Sequence, residues 1–144
     1  MSSCRARRLV NDSGLRIKDI IDAIEARLLT QPSHMDRLVL SVCGADLMSD
    51  VLAFTKAKTL LLTGLTSIQV VRTAGVVDLA GIVFVRGKRP SPEVVELAKA
   101  EDLPLLVTDY PLYEACGKLY CLGLKGCSEL DPGGRTGECL TSGT

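Results

Sequence analysis

The sequence has no tryptophan, only two phenylalanines and a single histidine, so a large aromatic core and a site built from several histidines are both excluded. Seventeen basic residues balance seventeen acidic ones, and this balance leaves no overall field to recruit nucleic acid or an anionic membrane. No uncharged apolar run is long enough to span a bilayer or to form an export signal. We therefore expect an aliphatic interior, a cytoplasmic location, and neither nucleic-acid nor membrane partners.

Motifs for the commonest metal, nucleotide and hydrolase sites are also missing. Of the six cysteines, Cys121, Cys127 and Cys139 lie closest together, but they contain no Cys-x-x-Cys pair and do not resemble a structural zinc site. Neither Gly-x-x-x-x-Gly-Lys-Ser/Thr nor Gly-x-Gly-x-x-Gly is present, and no serine lies in a Gly-x-Ser-x-Gly elbow. The sequence thus predicts no metal, no cofactor and no catalytic group.

Short apolar runs separated by helix-length segments dominate the middle of the chain. Three of them are Thr59–Thr63, Gly81–Val85 and Leu103–Thr108, and a fourth, Arg37–Cys43, precedes them. Strands that are apolar throughout are typical of parallel sheets covered on both faces, with helical crossovers between them. The pattern predicts an α/β fold: a single domain with a mainly parallel sheet of about four strands flanked by helices.

Segments with helical spacing of apolar residues connect these runs, and the two ends of the chain lack any such period. The predicted helices span 15–28, 47–55, 68–79, 93–102 and about 112–122. The first 13 residues are basic and end in turn formers, whereas the last 20 are rich in glycine. We expect a flexible N-terminal arm (1–13), a domain (14–124) and a disordered C-terminal tail (125–144).

Two loops that follow predicted strands carry groups suited to an anion. The exit of the first strand supplies hydroxyls and a glycine next to a helix N-terminus, where free N–H groups point outward. The exit of the second supplies three cations in four positions at a strand-to-helix loop. The alternatives are a plain N-cap and a solvated loop. The predicted ligand-binding residues are Thr63, Gly64, Thr66, Ser67, Arg86, Lys88 and Arg89.

A different hypothesis makes the protein an enzyme that uses acidic residues and the lone histidine. Asp46 and Asp50 lie four residues apart at the start of a predicted helix, and such carboxylates can hold a cation or act in acid/base catalysis. His34 lies in a predicted turn. This site requires the three side chains to converge; otherwise the two aspartates only complement the helix macrodipole.

Four segments, in order, resemble the DRTGG domain family. Gly44-Ala-Asp-Leu-Met-Ser-Asp-Val-Leu-Ala resembles the "(S)DLLSDVMA" segment of these domains, and the stretches that begin at Thr63, Gly81 and Leu103 fit the same family. The likeness covers about residues 15–124. An uninterrupted Asp-Arg-Thr-Gly-Gly string is not present, and Asp36-Arg37 stands where a remnant is expected.

The resemblance implies an α/β fold similar to the amino-terminal domain of HPr kinase/phosphorylase. Such domains also occur beside CBS pairs in regulatory pyrophosphatases and in phosphotransacetylases, as regulatory or dimerising modules to which no catalytic residue can be assigned. Our first hypothesis is therefore a non-catalytic regulatory module that forms a homodimer or higher homo-oligomer, with a partner protein as a further possibility. The alternative is a domain that senses a small anion or nucleotide, that is, a phosphate-containing small molecule.

Overall fold

The computed structural model describes residues 14–126. The predicted N-terminal arm and most of the predicted C-terminal tail lie outside the described residues. Lys125 and Gly126 form a strand that pairs with Ser41 and Val42. The folded domain therefore extends at least two residues past the predicted boundary at residue 124.

Within these residues there are five α-helices, as predicted, and strands and helices alternate over most of the chain. The strands are β1 (Leu15–Arg16), β2 (Arg27–Leu28), β3 (Leu38–Val39), β4 (Ser41–Gly44), β5 (Thr59–Thr63), β6 (Gly81–Phe84), β7 (Leu105–Val107) and β8 (Lys125–Gly126). The helices are α1 (Ile17–Ile24), α2 (Met48–Phe54), α3 (Ile68–Val77), α4 (Pro92–Ala100) and α5 (Leu112–Cys121), and a 3-10 turn covers Pro32–Asp36.

Six of the strands form one sheet in the order β2-β7-β6-β5-β4-β8. All neighbours are parallel except β2, which runs antiparallel to β7 at one edge. The remaining strands, β1 and β3, pair antiparallel in a small separate sheet. The prediction of a mainly parallel sheet flanked by helices is confirmed, with two short edge strands beyond the four predicted.

Alternate residues of the central strands face two separate cores, as the side-chain period of a strand requires. Leu60 and Leu62 of β5 pack with α1 and α5, whereas Leu61 packs with α2, α3 and α4 on the other face. Every residue of β5 and β6 is buried. Burial on both faces explains why these strands read as unbroken apolar runs.

The connections after β6 and β7 leave the sheet toward opposite faces. The chain passes from β6 into α4 on one face, and from β7 into α5 on the other. Their loops therefore diverge at the carboxyl edge of the parallel strands. In open α/β sheets, ligands bind at such points of divergence.

Two elements differ from the sequence prediction for identifiable reasons. The first helix ends earlier than residue 28, because Glu25 adopts a left-handed φ of 50° and the chain then enters β2. Leu28 still packs against the core, which is why an apolar residue stands at this position of the helical stripe. The predicted strand 37–43 is two strands, since the chain leaves the small sheet after Val39 and joins the large one at Ser41.

Candidate ligand-binding site

A cleft of about 400 Å³ opens at the carboxyl edge of the parallel strands. Its charged lining comes from the loops after β4 and β6 and consists of Asp46, Arg86 and Lys88. The apolar and backbone lining consists of Gly64, Leu65, Val85 and Leu112. The volume lies within the range of small-molecule sites, and the mixture of apolar walls and a few charged groups is typical of them.

A tight turn after β6 presents the two cations. Arg86 and Gly87 both have positive φ, 56° and 66°, and the Lys88 N–H donates to the Val85 carbonyl at 3.1 Å, as in a type I′ turn. A left-handed conformation is strained for arginine, because its Cβ crowds the backbone. The turn is nevertheless held in place, since the Arg86 and Gly87 N–H groups donate to the carbonyls of Tyr110 and Thr108.

That supporting loop is itself fixed to α1. The Thr108 hydroxyl donates to the Ile24 carbonyl at 2.6 Å, and the Tyr110 hydroxyl donates to the Glu25 carboxylate at 3.2 Å. The backbone that carries the cations is thus anchored through the β7–α5 loop to the end of α1, whose inner face is buried. A site with a fixed backbone loses less conformational entropy when a ligand binds.

The Asp46 carboxylate is bound by Thr63 and Gly64, two of the residues that the sequence predicts to bind an anionic ligand. Its Oδ1 accepts hydrogen bonds from the Thr63 hydroxyl at 2.8 Å and from the Gly64 N–H at 2.9 Å. The Gly64 N–H bond, followed by the Thr63 bond, holds the pKa of this carboxyl below its ordinary value, and Lys88 adds a smaller attraction against the cost of burial. Within the protein itself, an ionised carboxylate therefore occupies the hydrogen-bond donors of Thr63 and Gly64.

The structure brings together some of the predicted ligand-binding residues and not others. Gly64, Arg86 and Lys88 line the cleft. Thr63 is fully buried, and its hydroxyl both donates to Asp46 and accepts the Leu65 N–H.

The other three predicted residues, Thr66, Ser67 and Arg89, are not among the described residues that line the cleft. Ser67 is the N-cap residue of α3 but makes no side-chain capping bond. Sequence reasoning missed Asp46 as a member of this site, although its position just after a predicted strand was the available signal.

The hypothesis of a catalytic site formed by Asp46, Asp50 and His34 is wrong, because Asp46 and His34 lie at opposite edges of the sheet. Asp46 follows the carboxyl end of β4, whereas His34 is buried near the start of β7. His34 Nε2 lies 2.8 Å from Asp102 Oδ1, and its Nδ1 lies 2.8 Å from the Thr30 hydroxyl. We call Thr30, His34, Arg37 and Asp102 the amino-edge network.

Neither metal binding nor a membrane span is found in the part of the chain that the structure describes. No group of three histidine, cysteine, aspartate or glutamate side chains in residues 14–126 is arranged to hold a metal ion. Cys127 and Cys139 lie outside the described residues. No helix among residues 14–126 has the length and apolar character needed to cross a bilayer.

A second, more apolar groove of about 450 Å³ runs between α5 and the strands β4 and β8. Val42, Cys116 and Leu124 contribute to its lining, and Tyr113 and Tyr120 border it. The two tyrosines are 88% and 61% exposed. Burial raises the pKa of the Cys116 thiol, so this side chain behaves as a small apolar group in the groove. We refer to these residues as the α5 groove.

Comparison with known proteins supports the fold. No curated protein matches this chain. A solved structure of the CBS and DRTGG domains of the regulatory region of Clostridium perfringens pyrophosphatase, complexed with the activator diadenosine tetraphosphate, is similar, with a TM-score of 0.62 and 17% sequence identity. The match covers 90% of this chain and 61% of that chain, so this chain spans less than two thirds of its neighbour. At this identity, the likeness shows the fold alone.

The model of one protein family covers most of the described residues. The DRTGG domain model matches residues 19–120, well over half of the 144-residue chain. The match agrees with the resemblance found in the sequence, and domains of this family are regulatory modules. This chain belongs to the DRTGG domain family.

Proposed function

We propose that this domain is a non-catalytic regulatory module whose carboxyl-edge cleft binds a small molecule through its phosphate group. The observation that carries the proposal is the pair of cations, Arg86 and Lys88, that line one cleft. No carboxylate of residues 14–126 lies within 4 Å of either side chain as an ion-pair partner. Two cations against the single carboxylate of Asp46 leave one net positive charge in the lining.

Hydrogen bonds from arginine and lysine to phosphate are stronger than those between neutral groups, because the donor and the acceptor are both ionised. Each contributes about 1.5–3 kcal/mol, and the pair therefore accounts for an affinity difference of roughly 100-fold or more. Supporting this choice of ligand, the pyrophosphatase regulatory region of similar fold was solved with a dinucleotide activator.

The proposal includes no catalysis, because the cleft does not pair a nucleophile with a base. The charged groups in its described lining are Asp46, Arg86 and Lys88. The one histidine of the chain belongs to the amino-edge network. Binding without turnover suits a module that changes the behaviour of another domain or subunit.

Thermal denaturation with added phosphates tests the proposal. A ligand that binds only the folded state raises the midpoint. We expect inorganic phosphate, pyrophosphate, ribose 5-phosphate or AMP to raise the midpoint of the wild-type chain at low salt, where exposed charges are least screened. The double variant Arg86→Gln/Lys88→Gln should lose this shift.

The matched control is Lys56→Gln, because Lys56 is an exposed lysine in the loop before β5, at the opposite edge of the sheet. It should keep the full shift. The proposal is wrong if no phosphate shifts the wild-type midpoint, or if the double variant responds as the wild type does.

The α5 groove favours a second function, self-association. Its apolar lining and two exposed tyrosines match the kind of surface that subunits bury, since tyrosine is enriched at the centres of interfaces. We expect a concentration-dependent dimer in analytical ultracentrifugation, and Tyr113→Ser/Tyr120→Ser should weaken it at least 10-fold. Val76→Ser, at a 75% exposed valine on α3, is the control. A strict monomer at high concentration would exclude this function.

A further inference from the structure

Asp46 is an unexpected member of a phosphate site, because a carboxylate repels the phosphate that Arg86 and Lys88 attract. Both hydrogen bonds that it accepts from residues 14–126 reach Oδ1. No donor among residues 14–126 bonds to Oδ2, and the side chain lines the cleft. One carboxylate oxygen is therefore held rigidly while the other is available to a bound molecule.

The chemistry of a carboxylate restricts what can face it. An ionised carboxylate accepts hydrogen bonds and donates none, so the group opposite Oδ2 has to be a donor or a cation. A metal ion is disfavoured because residues 14–126 hold no group of three ligating side chains. An organic ammonium is disfavoured as well, because Arg86 and Lys88 line the same cleft and repel it. A neutral donor remains, and a hydroxyl is the neutral donor that sugar and polyol phosphates carry close to the phosphate.

The donor and the phosphate also have to lie close together in the ligand. A Cβ built on Gly64, whose N–H holds Asp46, lies 3.9 Å from both the Asp46 Oδ1 and the Lys88 Cδ. The Asp46 carboxylate and the Lys88 side chain thus both lie close to Gly64. A ligand that satisfies both carries a hydroxyl within a few bonds of its phosphate, as sugar phosphates and nucleotides do.

We infer that the cleft selects hydroxyl-bearing phosphate monoesters, with the phosphate on Arg86 and Lys88 and a ligand hydroxyl donating to Asp46. This inference rests on the proposed phosphate-binding function and adds a specificity-determining residue to it. Simple alkyl phosphates meet the same cations but bring no alcohol hydroxyl to the carboxylate, and they bind more weakly. Removing the carboxylate abolishes this preference.

Two ligands of equal length test the inference by isothermal titration calorimetry. Glycerol 3-phosphate and propyl phosphate share a three-carbon chain and a phosphate, and they differ in two hydroxyls. We expect the wild-type chain to bind glycerol 3-phosphate about 10-fold more tightly, since only this ligand donates a hydroxyl hydrogen bond to the ionised carboxylate. Parallel titrations with ribose 5-phosphate and AMP distinguish a sugar phosphate from a nucleotide.

The variant Asp46→Asn should bring the two affinities within about 3-fold of each other and strengthen the binding of propyl phosphate, because the repulsion is removed. An asparagine oxygen can still accept from Thr63 and Gly64, so the loop keeps its support. Asp50→Asn changes an exposed aspartate one turn further on and should retain the 10-fold preference.

The outcomes separate this inference from the proposed function. If wild type binds both ligands equally and Arg86→Gln/Lys88→Gln abolishes binding, the hydroxyl preference is wrong and the phosphate site stands. If neither phosphate binds, the proposed function itself is wrong. The comparison of the two ligands on the wild-type chain decides the question even if Asp46→Asn does not fold.

Discussion

The two edges of the parallel sheet use their polar residues in opposite ways. At the amino edge, His34 lies between the Thr30 hydroxyl and the Asp102 carboxylate, and Arg37 closes the network with a 2.9 Å ion pair to Asp102. At the carboxyl edge, Arg86 and Lys88 line a cleft without an ion-pair partner within 4 Å among residues 14–126.

The difference follows from burial. His34 is 1% exposed, and a buried imidazole whose hydrogen bonds are unmet destabilises the fold. Because an ionised carboxylate only accepts, Nε2 donates to Asp102, and in the neutral ring Nδ1 accepts from Thr30. Arg86 and Lys88 are exposed to solvent, so they cost the fold little without ion-pair partners among residues 14–126. The amino edge therefore stabilises the fold, and we propose that the carboxyl edge binds a ligand.

The largest expected effect is on stability, from His34→Ala. The substitution leaves a cavity and removes one hydrogen-bond partner each from Thr30 and Asp102, and we expect the free energy of unfolding to fall by about 3 kcal/mol. Urea denaturation measures this loss. Met35→Ala, at the neighbouring and partly exposed position, should cost less than about 1 kcal/mol. Equal losses for both variants would show that the network does not stabilise the domain.

A smaller effect is expected from pH. The hydrogen bond from His34 is the largest influence and lowers the pKa of Asp102, burial opposes it, and Arg37 lowers the pKa further through its charge and its hydrogen bond. A carboxyl whose pKa is lowered in the folded state stabilises the protein above its unfolded pKa, and this stabilisation is lost as the pH falls through the folded value. Wild-type stability should therefore decline as the pH falls below about 4.

Denaturation curves recorded between pH 6 and pH 3 should show a shallower decline for Asp102→Asn than for wild type. The difference should be smaller than the loss in His34→Ala, because the Asp102 side chain is 69% exposed and solvent screens its charge. An identical pH dependence in the two chains would exclude this role for Asp102. Asp50→Asn, at an exposed position on α2, is the matched control.

The smallest expected change in stability comes from relieving backbone strain at one residue of each edge. Arg86 and Asp102 both adopt left-handed φ values, 56° and 58°, which glycine adopts without strain. Relief of strain slightly outweighs the greater freedom of glycine in the unfolded chain, so Arg86→Gly should stabilise the domain by about 0.5 kcal/mol. Asp102→Gly gains the same relief but breaks the amino-edge network, and it should destabilise. Both changes are measured by urea denaturation, and destabilisation by both would contradict the assignment of the two edges.

Much of the fold was predictable because the central strands are buried on both faces. The apolar runs 59–63 and 81–85 predicted β5 and β6 to within one residue. The edge strands β2 and β8 were harder to find, because two residues that pair on one side only leave no apolar run of their own. Their existence depends on the partner strand and not on local sequence.

The candidate site was predictable in position and less so in detail. The rule that ligands bind at the carboxyl ends of parallel strands placed Gly64, Arg86 and Lys88 near one another, and the structure brings them to one cleft. The role of Asp46 depends on hydrogen bonds to Thr63 and Gly64, which lie 17 and 18 residues away along the chain. A local sequence pattern cannot indicate a contact between residues so far apart along the chain. The same holds for the bond between His34 and Asp102.

The most direct test of a carboxyl-edge binding site is to titrate the isotope-labelled chain with inorganic phosphate. The NMR chemical shifts of the backbone amides are recorded at each phosphate concentration. The account predicts the largest changes at Gly64, Leu65 and the turn 86–88, with those at His34 and Asp102 unaffected. Changes centred on the amino edge, or no changes at millimolar phosphate, would contradict the claim that the carboxyl-edge cleft is the binding site.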